Sequence, residues 1–369
     1  MDIFAYLKVM IHERASDLFI SVGAPPTIKV EGDTRPLRDK PLTSDEVIQM
    51  ARAVMSDAQS KEFEETMELN MALSLQSLGR FRINVFRQRG EVAMVVRYII
   101  GVIPSLEALN LPAILSSVVM ESRGLVLVVG ATGSGKSTSL ASMIDYRNTH
   151  FSGHILTIED PIEYLHQHKK SIVDQREVGI DTYSYANALK NAMREAPDVI
   201  LLGEIRDKET MKHAIAYAET GHLCLSTLHA NNANQAMERV INFFPEEAKQ
   251  QLLFDLSLNL RAVISMRLIP GINLLRVPVV EILLNSPYIA DLIEKGKIEE
   301  IKEVMERSHD LGMQTFDQAL FDLYKAGKIN QENAVRFADS KNNLSLKIRL
   351  SEEGLADKQS NLQIDSTDE

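Results

Sequence analysis

The sequence predicts an α/β protein, in which a small N-terminal α+β domain precedes a larger domain with a wound, mostly parallel sheet and a helical C-terminal part. Two observations predict the larger domain. Stretches with helical periodicity separate continuous apolar runs at residues 124–129, 155–158, 199–202 and 223–226. A glycine-rich motif directly follows the first of these runs. Because strands buried on both faces are continuously apolar, this alternation is typical of a parallel sheet.

Residues 1–100 carry the patterns of the smaller domain. Thr43 and Glu46 have the spacing of a capping box ahead of an amphipathic helical pattern. Apolar and polar side chains alternate on either side of Arg89 and Gly90, which predicts a β-hairpin. We therefore expect helices packed on an antiparallel sheet.

The remaining boundaries follow from composition. Residues 101–112, which include Pro104 and Pro112, form the predicted linker, and residues 113–350 form the second domain. From about residue 246 the pattern is mainly helical. Residues 351–369 contain six acidic residues and one lysine, with few large apolar groups, so they are expected to form a disordered acidic tail.

Composition excludes several classes of protein. The 369 residues include 40 basic and 51 acidic ones, a formal net charge of −11, which disfavours a nucleic-acid partner. No apolar run is long enough for a membrane span, and charges interrupt the N-terminal residues where a signal peptide would be apolar. A cytoplasmic location without membrane insertion is expected. The single cysteine, Cys224, excludes a multi-cysteine zinc module and is interpreted as a core residue.

The glycine-rich motif after the first apolar run fits the phosphate-loop pattern G-x-x-x-x-G-K-[ST]. Glycines let successive backbone N–H groups point at a phosphate chain, and the following helix N-terminus adds positive potential. Lys136 is predicted to reach the β- and γ-phosphates of ATP, and the Ser137 hydroxyl to bind Mg²⁺. The predicted nucleotide-binding residues are Gly130, Ala131, Thr132, Gly133, Ser134, Gly135, Lys136, Ser137 and Thr138.

Acidic residues follow two other apolar runs. Glu204 comes just after residues 199–202, where it could bind Mg²⁺ partly through water or polarise the attacking water; an ordinary strand-end carboxylate is the alternative. Glu159, Asp160 and Glu163 follow residues 155–158 and suit metal–water binding or general-base chemistry, with a solvated turn as the alternative.

Two histidines flank the run at 223–226. His229 follows it and could face the γ-phosphate, whereas His222 precedes it at the opposite end; either could instead be structural. Five arginines crowd the predicted hairpin, and some could neutralise charge in the transition state, although a solvated basic face is the simpler reading. They are Arg80, Arg82, Arg87, Arg89 and Arg97.

In their order along the chain, these motifs resemble those of type II/IV secretion ATPases, most closely the type IV pilus retraction ATPases of the PilT and PilU branches. The resemblance covers roughly residues 1–340. It rests on Ala15-Ser16-Asp17-Leu18, Gly23-Ala24-Pro25-Pro26, the phosphate loop, Ile158-Glu159-Asp160-Pro161-Ile162-Glu163-Tyr164, Leu202-Gly203-Glu204-Ile205-Arg206-Asp207, and Thr220-Gly221-His222 through Thr227-Leu228-His229.

The resemblance implies a PAS-like N-terminal domain, a short linker and a RecA-like ATPase domain with ATP at their junction, assembled as a cytoplasmic homo-hexamer. It makes the phosphate loop a Walker A motif and Glu204 the Walker B acid. The Asp box comprises Glu159, Asp160 and Glu163, with Glu163 as catalytic base; His222 and His229 form the His box. Arg82, Arg89 and Arg97 match the arginine region of the family.

Two departures from the family pattern indicate the PilU branch. PilT-like chains carry an AIRxxI motif important for retraction, and Ala290 stands at its arginine position here; the acidic tail is also long. The resemblance then implies an accessory motor in pilus retraction and twitching motility. Its partners would be a PilT-like ATPase and a platform protein of the inner membrane, at whose cytoplasmic face it would act.

Three other functions remain open at this point. The chain could be a nucleotide-gated adaptor ring that turns over little ATP, which intact acids at Glu163 and Glu204 disfavour. It could be a pilus-assembly or secretion ATPase, although many of those carry a four-cysteine module. A nucleic-acid translocase is disfavoured by the acidic balance.

Overall fold

The computed structural model describes residues 2–30, 32–75, 78–99, 101–273 and 275–364, with side chains to Glu352. These residues group into two compact units. The first comprises Met1–Ile103, Asp160–Gln167 and Arg176–Tyr185, and the second comprises Pro104–Glu159, His168–Gln175 and Ala186–Glu369. The boundary at Ile103 falls inside the predicted linker, in which the described residues form no helix or strand.

The first unit is an α+β fold. The elements of this unit are α1 (Ile3–His12), β1 (Asp17–Ser21), β2 (Thr27–Val30), β3 (Asp33–Pro36), α2 (Ser44–Val54), α3 (Asp57–Thr66), β4 (Glu68–Leu75), β5 (Gly79–Gln88) and β6 (Glu91–Ile99). The described strands form an antiparallel sheet in the order β3-β2-β1-β6-β5-β4. The predicted capping box is present at Thr43, where α2 starts.

The predicted hairpin is formed by β5 and β6, which pair from Arg80 opposite Ile99 to Gln88 opposite Glu91. Its turn residues Arg89 and Gly90 have φ angles of 51° and 82°, as a two-residue hairpin turn requires. On β5 the buried residues Phe81, Ile83 and Val85 alternate with Arg82 and Asn84, so Arg82 lies on the face away from the core.

The second unit is built on a mostly parallel sheet in the order β13-β12-β7-β11-β10-β8-β9, in which β12 is Leu260–Pro270 and β13 is Arg276–Leu284. Its elements up to residue 242 are α4 (Ile114–Val119), β7 (Gly124–Val129), α5 (Lys136–His150), β8 (His154–Glu159), β9 (Ile172–Glu177), α6 (Tyr185–Ala192), β10 (Val199–Leu202), α7 (Lys208–Glu219), β11 (Leu223–Leu228) and α8 (Ala233–Asn242). All four apolar runs are strands of this sheet, and β7, β10 and β11 are buried along their whole length, so the predicted fold class is confirmed.

The C-terminal part is helical except for one hairpin. Its elements are α9 (Glu246–Asn259), β12 (Leu260–Pro270), β13 (Arg276–Leu284), α10 (Pro287–Glu294), α11 (Ile301–Arg307), α12 (Phe316–Lys325), α13 (Gln331–Phe337) and α14 (Lys341–Ile364). The mainly helical character predicted from residue 246 is confirmed, with β12 and β13 as an exception that the pattern did not indicate. Strand β12 pairs in parallel with β7, and tertiary pairing of this kind overrides a local helical pattern.

The predicted tail boundary also needs correction. Helix α14 runs to Ile364, so the chain does not leave regular structure at Ser351. Leu344 and Ile348 anchor the start of this helix in a core shared with Phe316 and Leu320. Residues 365–369 of the predicted tail lie outside the described residues. Among the helices of the described chain, none is long and apolar enough to cross a membrane.

Candidate nucleotide-binding site

The phosphate loop connects β7 to α5 at the carboxyl edge of the parallel sheet. Gly130, Gly133 and Gly135 all have positive φ angles, of 154°, 76° and 94°. A Cβ atom on Gly130 would lie 2.6 Å from the carbonyl oxygen of Met266, so the loop could not close with a larger residue there. The glycines of the motif therefore allow the backbone conformation that the predicted phosphate loop requires.

The polar side chains of the loop suit a phosphate ligand. Lys136 Nζ donates hydrogen bonds to the carbonyl oxygens of Gly130 and Ala131, both at 2.9 Å. This holds the ammonium group against the loop. Ser134 Oγ is buried and has no hydrogen-bond partner among the described residues, although such atoms are normally satisfied. A bound phosphate would supply acceptors for these donors.

The carboxylate of Glu204 pairs with two cationic or polar neighbours. Its Oε1 lies 3.2 Å from Nε2 of His229, and its Oε2 accepts a hydrogen bond from Nε of Arg206 at 2.7 Å. Glu204 follows β10 and His229 follows β11, which pair in parallel. Since Leu228 is opposite Val129, His229 lies beside the start of the phosphate loop. The structure thus brings together the phosphate loop, the strand-end acid and one histidine.

The other predicted histidine does not join them. His222 precedes β11, and its Nδ1 lies 3.1 Å from the carbonyl oxygen of Tyr217 and 3.2 Å from Thr220 Oγ1. A rise of about 3.3 Å per residue places the two histidines roughly 20 Å apart along the strand. His222 therefore has the surroundings of a structural histidine that closes the turn after α7.

The three acids after β8 have different environments. Glu159 is the last residue of β8, and its Oε1 accepts hydrogen bonds from Thr157 Oγ1 at 2.7 Å and Gln175 Nε2 at 3.3 Å. Asp160 and Glu163 are exposed and belong to the first compact unit. Exposure leaves Glu163 accessible to a water molecule, and its role as base stays a prediction.

The three predicted arginines also differ. Arg97 Nε donates to Oδ1 of Asp17 at 2.8 Å, and Arg97 lies opposite Arg82 on the hairpin. Arg89 is exposed at the tip of the turn. Arg97 therefore already has a carboxylate partner within its own unit, whereas the position of Arg89 suits an approach to another molecule. Their catalytic roles stay predictions.

Sequence reasoning missed a buried ion pair that involves a fourth arginine. Arg80 Nη2 lies 3.5 Å from Oε2 of Glu177, which is 2% exposed. Burial raises the pKa of Glu177, and the charges of Arg80 and Arg82 oppose that shift. The residues are 97 positions apart, so no local pattern could reveal the pair. Arg80 is thus a structural residue and not a free cation of the hairpin.

A cavity of about 590 Å³ opens beside the phosphate loop, within the second unit. It is within the size range of small-molecule sites and mostly apolar. It meets the loop at Gly135 and Thr138, and its far wall comes from the β12–β13 hairpin at Ile272 and Val277. A nucleoside attached to phosphates in the loop could occupy this space. The hairpin that the sequence pattern missed therefore contributes to the candidate site.

The oxygen-bearing side chains near the loop suit a Mg²⁺ ion that binds together with a nucleotide. No group of three or more His, Cys, Asp or Glu side chains in the described part of the chain could hold a metal by itself. Mg²⁺ commonly takes one or two protein oxygens and completes its shell with phosphate and water. Ser137, at the start of α5, and Glu204 are residues of the right chemistry.

The fold and this site define a phosphate-loop nucleotide-binding protein. The family model described as "Type II/IV secretion system protein" matches residues 42–307, and the chain belongs to this family. It is 52% identical over 365 residues to the "Type IV pilus ATPase PilU" of Pseudomonas aeruginosa, covering 98% of this chain and 95% of that protein.

Two further relatives agree. The "Type IV pilus retractation ATPase PilT" of Pseudomonas aeruginosa is 43% identical over 334 residues, covering 90% of this chain and 97% of that protein. A solved structure described as "Crystal Structure of the Pilus Retraction Motor PilT and Bound ADP" superposes with a TM-score of 0.87 at 42% identity, covering 94% of this chain and 99% of that chain. The family predicted from the motifs is confirmed.

Proposed function

We propose that this chain is an ATP-hydrolysing motor that helps retract type IV pili, of the PilU type. The observation that carries the proposal is the 52% identity to a type IV pilus ATPase along nearly the whole chain. The phosphate loop, Glu204 and His229 at one sheet edge supply the chemistry that an ATPase needs.

Each residue has a defined part in the proposed reaction. Lys136 would exchange its bonds to the loop carbonyls for the β- and γ-phosphates, and Ser137 and Glu204 would hold the metal, Glu204 partly through water. Mg²⁺, when bound, neutralises phosphate charge. Glu163 or Glu204 orients and deprotonates the water, while His229 keeps the Glu204 carboxylate in place. Arginines such as Arg89 stabilise the negative charge of the transition state.

The proposed assembly is a homo-hexamer in the cytoplasm, beside the inner membrane at the base of the pilus. Closure of one domain on the other would convert the nucleotide state into rigid-body rotation. A platform protein of the inner membrane would receive the force, and a PilT-like ATPase would be the partner. No nucleic acid and no membrane insertion are part of this proposal.

The accessory role rests on Ala290. This residue lies on α10, where Ile289 and Ile293 are buried and residue 290 is half-buried at the surface. Asp291, the next residue, pairs with Lys295 at 2.7 Å. A surface that carries an arginine in PilT-like chains thus lacks that cation here, and we propose that this chain retracts pili only with a partner motor.

A retraction assay in living cells tests the proposal. The gene is deleted in cells that keep their main retraction motor and is restored as wild type, Lys136→Ala or Lys61→Ala, the last being an exposed lysine of α3. Wild type and Lys61→Ala should restore retraction against load in an optical trap, and Lys136→Ala should not. Restoration by Lys136→Ala would favour the adaptor function. Full twitching in cells whose only retraction motor is this protein would contradict the accessory role.

A further inference from the structure

The loop that carries His229 is held by charged side chains from three different elements. It spans residues 229–232, between β11 and α8, and forms no helix or strand of its own. Arg239 Nη1 donates to the carbonyl oxygen of His229 at 2.9 Å, and Arg267 Nη2 donates to that of Asn231 at 3.3 Å. At the end of the loop, Ala233 N donates to Oε1 of Glu281 at 2.7 Å.

Glu281 is an unusual residue for its position. It lies in the middle of β13 and is 2% exposed, and burial raises the pKa of its carboxyl group. A buried carboxylate is destabilising unless hydrogen bonds and charge compensate it. Its Oε1 accepts from Ala233 N and, at 2.9 Å, from Ser265 Oγ. The N-terminus of α8 adds favourable potential because Ala233 is its first residue.

The neighbouring cations make their ion pairs with another carboxylate, although the charge of Lys302 also acts on Glu281. Arg267 pairs with Asp339 at 2.8 Å, and Lys302 pairs with the same carboxylate at 3.1 Å. The carboxylate of Glu281 instead accepts hydrogen bonds from the backbone at the start of α8 and from one serine hydroxyl. The main structural effect of the Glu281 carboxylate is therefore to fix the residue at which α8 begins.

We propose that Glu281 is a positioning residue for His229. By holding Ala233, it fixes one end of a four-residue loop whose other end presents His229 Nε2 to Glu204 Oε1 at 3.2 Å. Among the described residues, Glu281 is not part of the lining of the cavity at Gly135 and Thr138 or of two smaller cavities beside the phosphate loop. It therefore acts on turnover through His229 and leaves nucleotide binding intact. The inference rests on the proposed ATPase function.

A double-mutant cycle tests this coupling. Glu281→Ala in the purified full chain should lower kcat for phosphate release about 10–100-fold, as misplacement of a site group by about 1 Å does. The KM for ATP should stay within about 2-fold of wild type. In a His229→Ala background, Glu281→Ala should cause no further loss of kcat. An equal loss in both backgrounds, or an unchanged kcat in Glu281→Ala, would overturn the proposal.

Two conservative variants keep the proposal testable if Glu281→Ala folds poorly. In Glu281→Gln the amide oxygen can still accept from Ala233 N, so kcat should remain within about 3-fold of wild type. In Glu281→Asp the charge remains but the carboxylate is one methylene farther from Ala233 N, so kcat should fall nearly as in Glu281→Ala. The reverse order of these two variants would show that charge, and not the hydrogen bond, matters, and would contradict the proposal.

Amide hydrogen exchange gives a readout that does not depend on hydrolysis. In Glu281→Asp without nucleotide, peptides covering residues 229–239 should exchange faster than in wild type, while peptides of β7 and α5 should not change. Unchanged exchange at residues 229–239 would contradict the proposal that Glu281 holds the loop at residues 229–232. If wild type hydrolyses no ATP, the proposed function fails, whereas this exchange experiment still decides whether Glu281 holds the loop.

Discussion

Glu204 and His229 face each other across the ends of two neighbouring parallel strands, with Oε1 3.2 Å from Nε2. The second carboxylate oxygen of Glu204 accepts from Arg206, so both oxygens are oriented. In addition, Thr227 Oγ1 donates to the carbonyl oxygen of Gly203 at 2.6 Å, which ties the two strand ends together. The acid is therefore held in a fixed position at the edge where the phosphate loop begins.

Loss of either predicted acid should slow hydrolysis but spare ATP binding. Removing a base or water-positioning group usually costs about 10²–10⁴-fold in rate, so Glu204→Gln and Glu163→Gln should each lower kcat in that range. Phosphate release and equilibrium binding of a fluorescent ATP analogue measure the two effects. Normal turnover in one variant would show that its residue is a structural acid and that the other carries the role.

Arg80→Ala should act on stability. It leaves the buried Glu177 carboxylate unpaired, and breaking a buried pair typically costs about 3–5 kcal/mol. Burial already holds the pKa of Glu177 above its ordinary value, so the unfolded chain loses this proton at a lower pH than the folded chain. Stability therefore falls as pH rises through that window.

The melting temperature of Arg80→Ala should accordingly fall more at pH 8 than at pH 5 relative to wild type. Arg80→Ala combined with Glu177→Gln is the matched control, because it removes the buried charge and should recover part of the loss. A melting temperature for Arg80→Ala equal to wild type at both pH values would show that the pair is not formed.

Arg89→Ala should lower turnover more than ATP affinity, because an arginine that acts on the transition state contributes little in the ground state. Arg97→Ala should do the same if it leaves Asp17 for the triphosphate. Mixing Arg89→Ala chains with Lys136→Ala chains separates the two ways of acting. Partial recovery of phosphate release in mixed rings indicates action in trans. Phosphate release equal to the sum of the two inactive variants measured alone indicates action in cis.

Truncation after Glu352 should leave basal hydrolysis and the melting temperature nearly unchanged. The cut preserves Leu344 and Ile348 in their core and the contact between Tyr324 and Glu352. Ile348→Ala is the matched comparison, since it removes a fully buried side chain, and such changes cost about 2–5 kcal/mol. A large fall in melting temperature on truncation would mean that residues 353–369 dock on their own domain.

The sequence allowed the strands beside the phosphate loop to be predicted because each is a continuous apolar run that ends in polar residues. Glu204 and His229 could each be placed at a strand end, but their pairing depends on the order of β10 and β11 in the sheet, which no local pattern contains. The Arg80–Glu177 pair could not be predicted either, because its two residues come from distant segments of the chain that meet only in the folded first unit.

The β12–β13 hairpin was missed because an apolar run is compatible with a helix or a strand when it is read alone. Its pairing with β7 decides the outcome. Glu281 was missed because a single acid within the apolar strand Arg276–Leu284 has no motif around it. Only the distance to Ala233 N reveals what it holds.

Mg²⁺-dependent phosphate release from ATP by the purified full chain, compared with Lys136→Ala and the exposed-lysine control Lys61→Ala, tests the central claim most directly. The account predicts release by wild type and by Lys61→Ala, and none by Lys136→Ala, since that loop loses its phosphate-directed charge. Wild-type turnover in Lys136→Ala, or no release by wild type with or without a PilT-like partner, would contradict it.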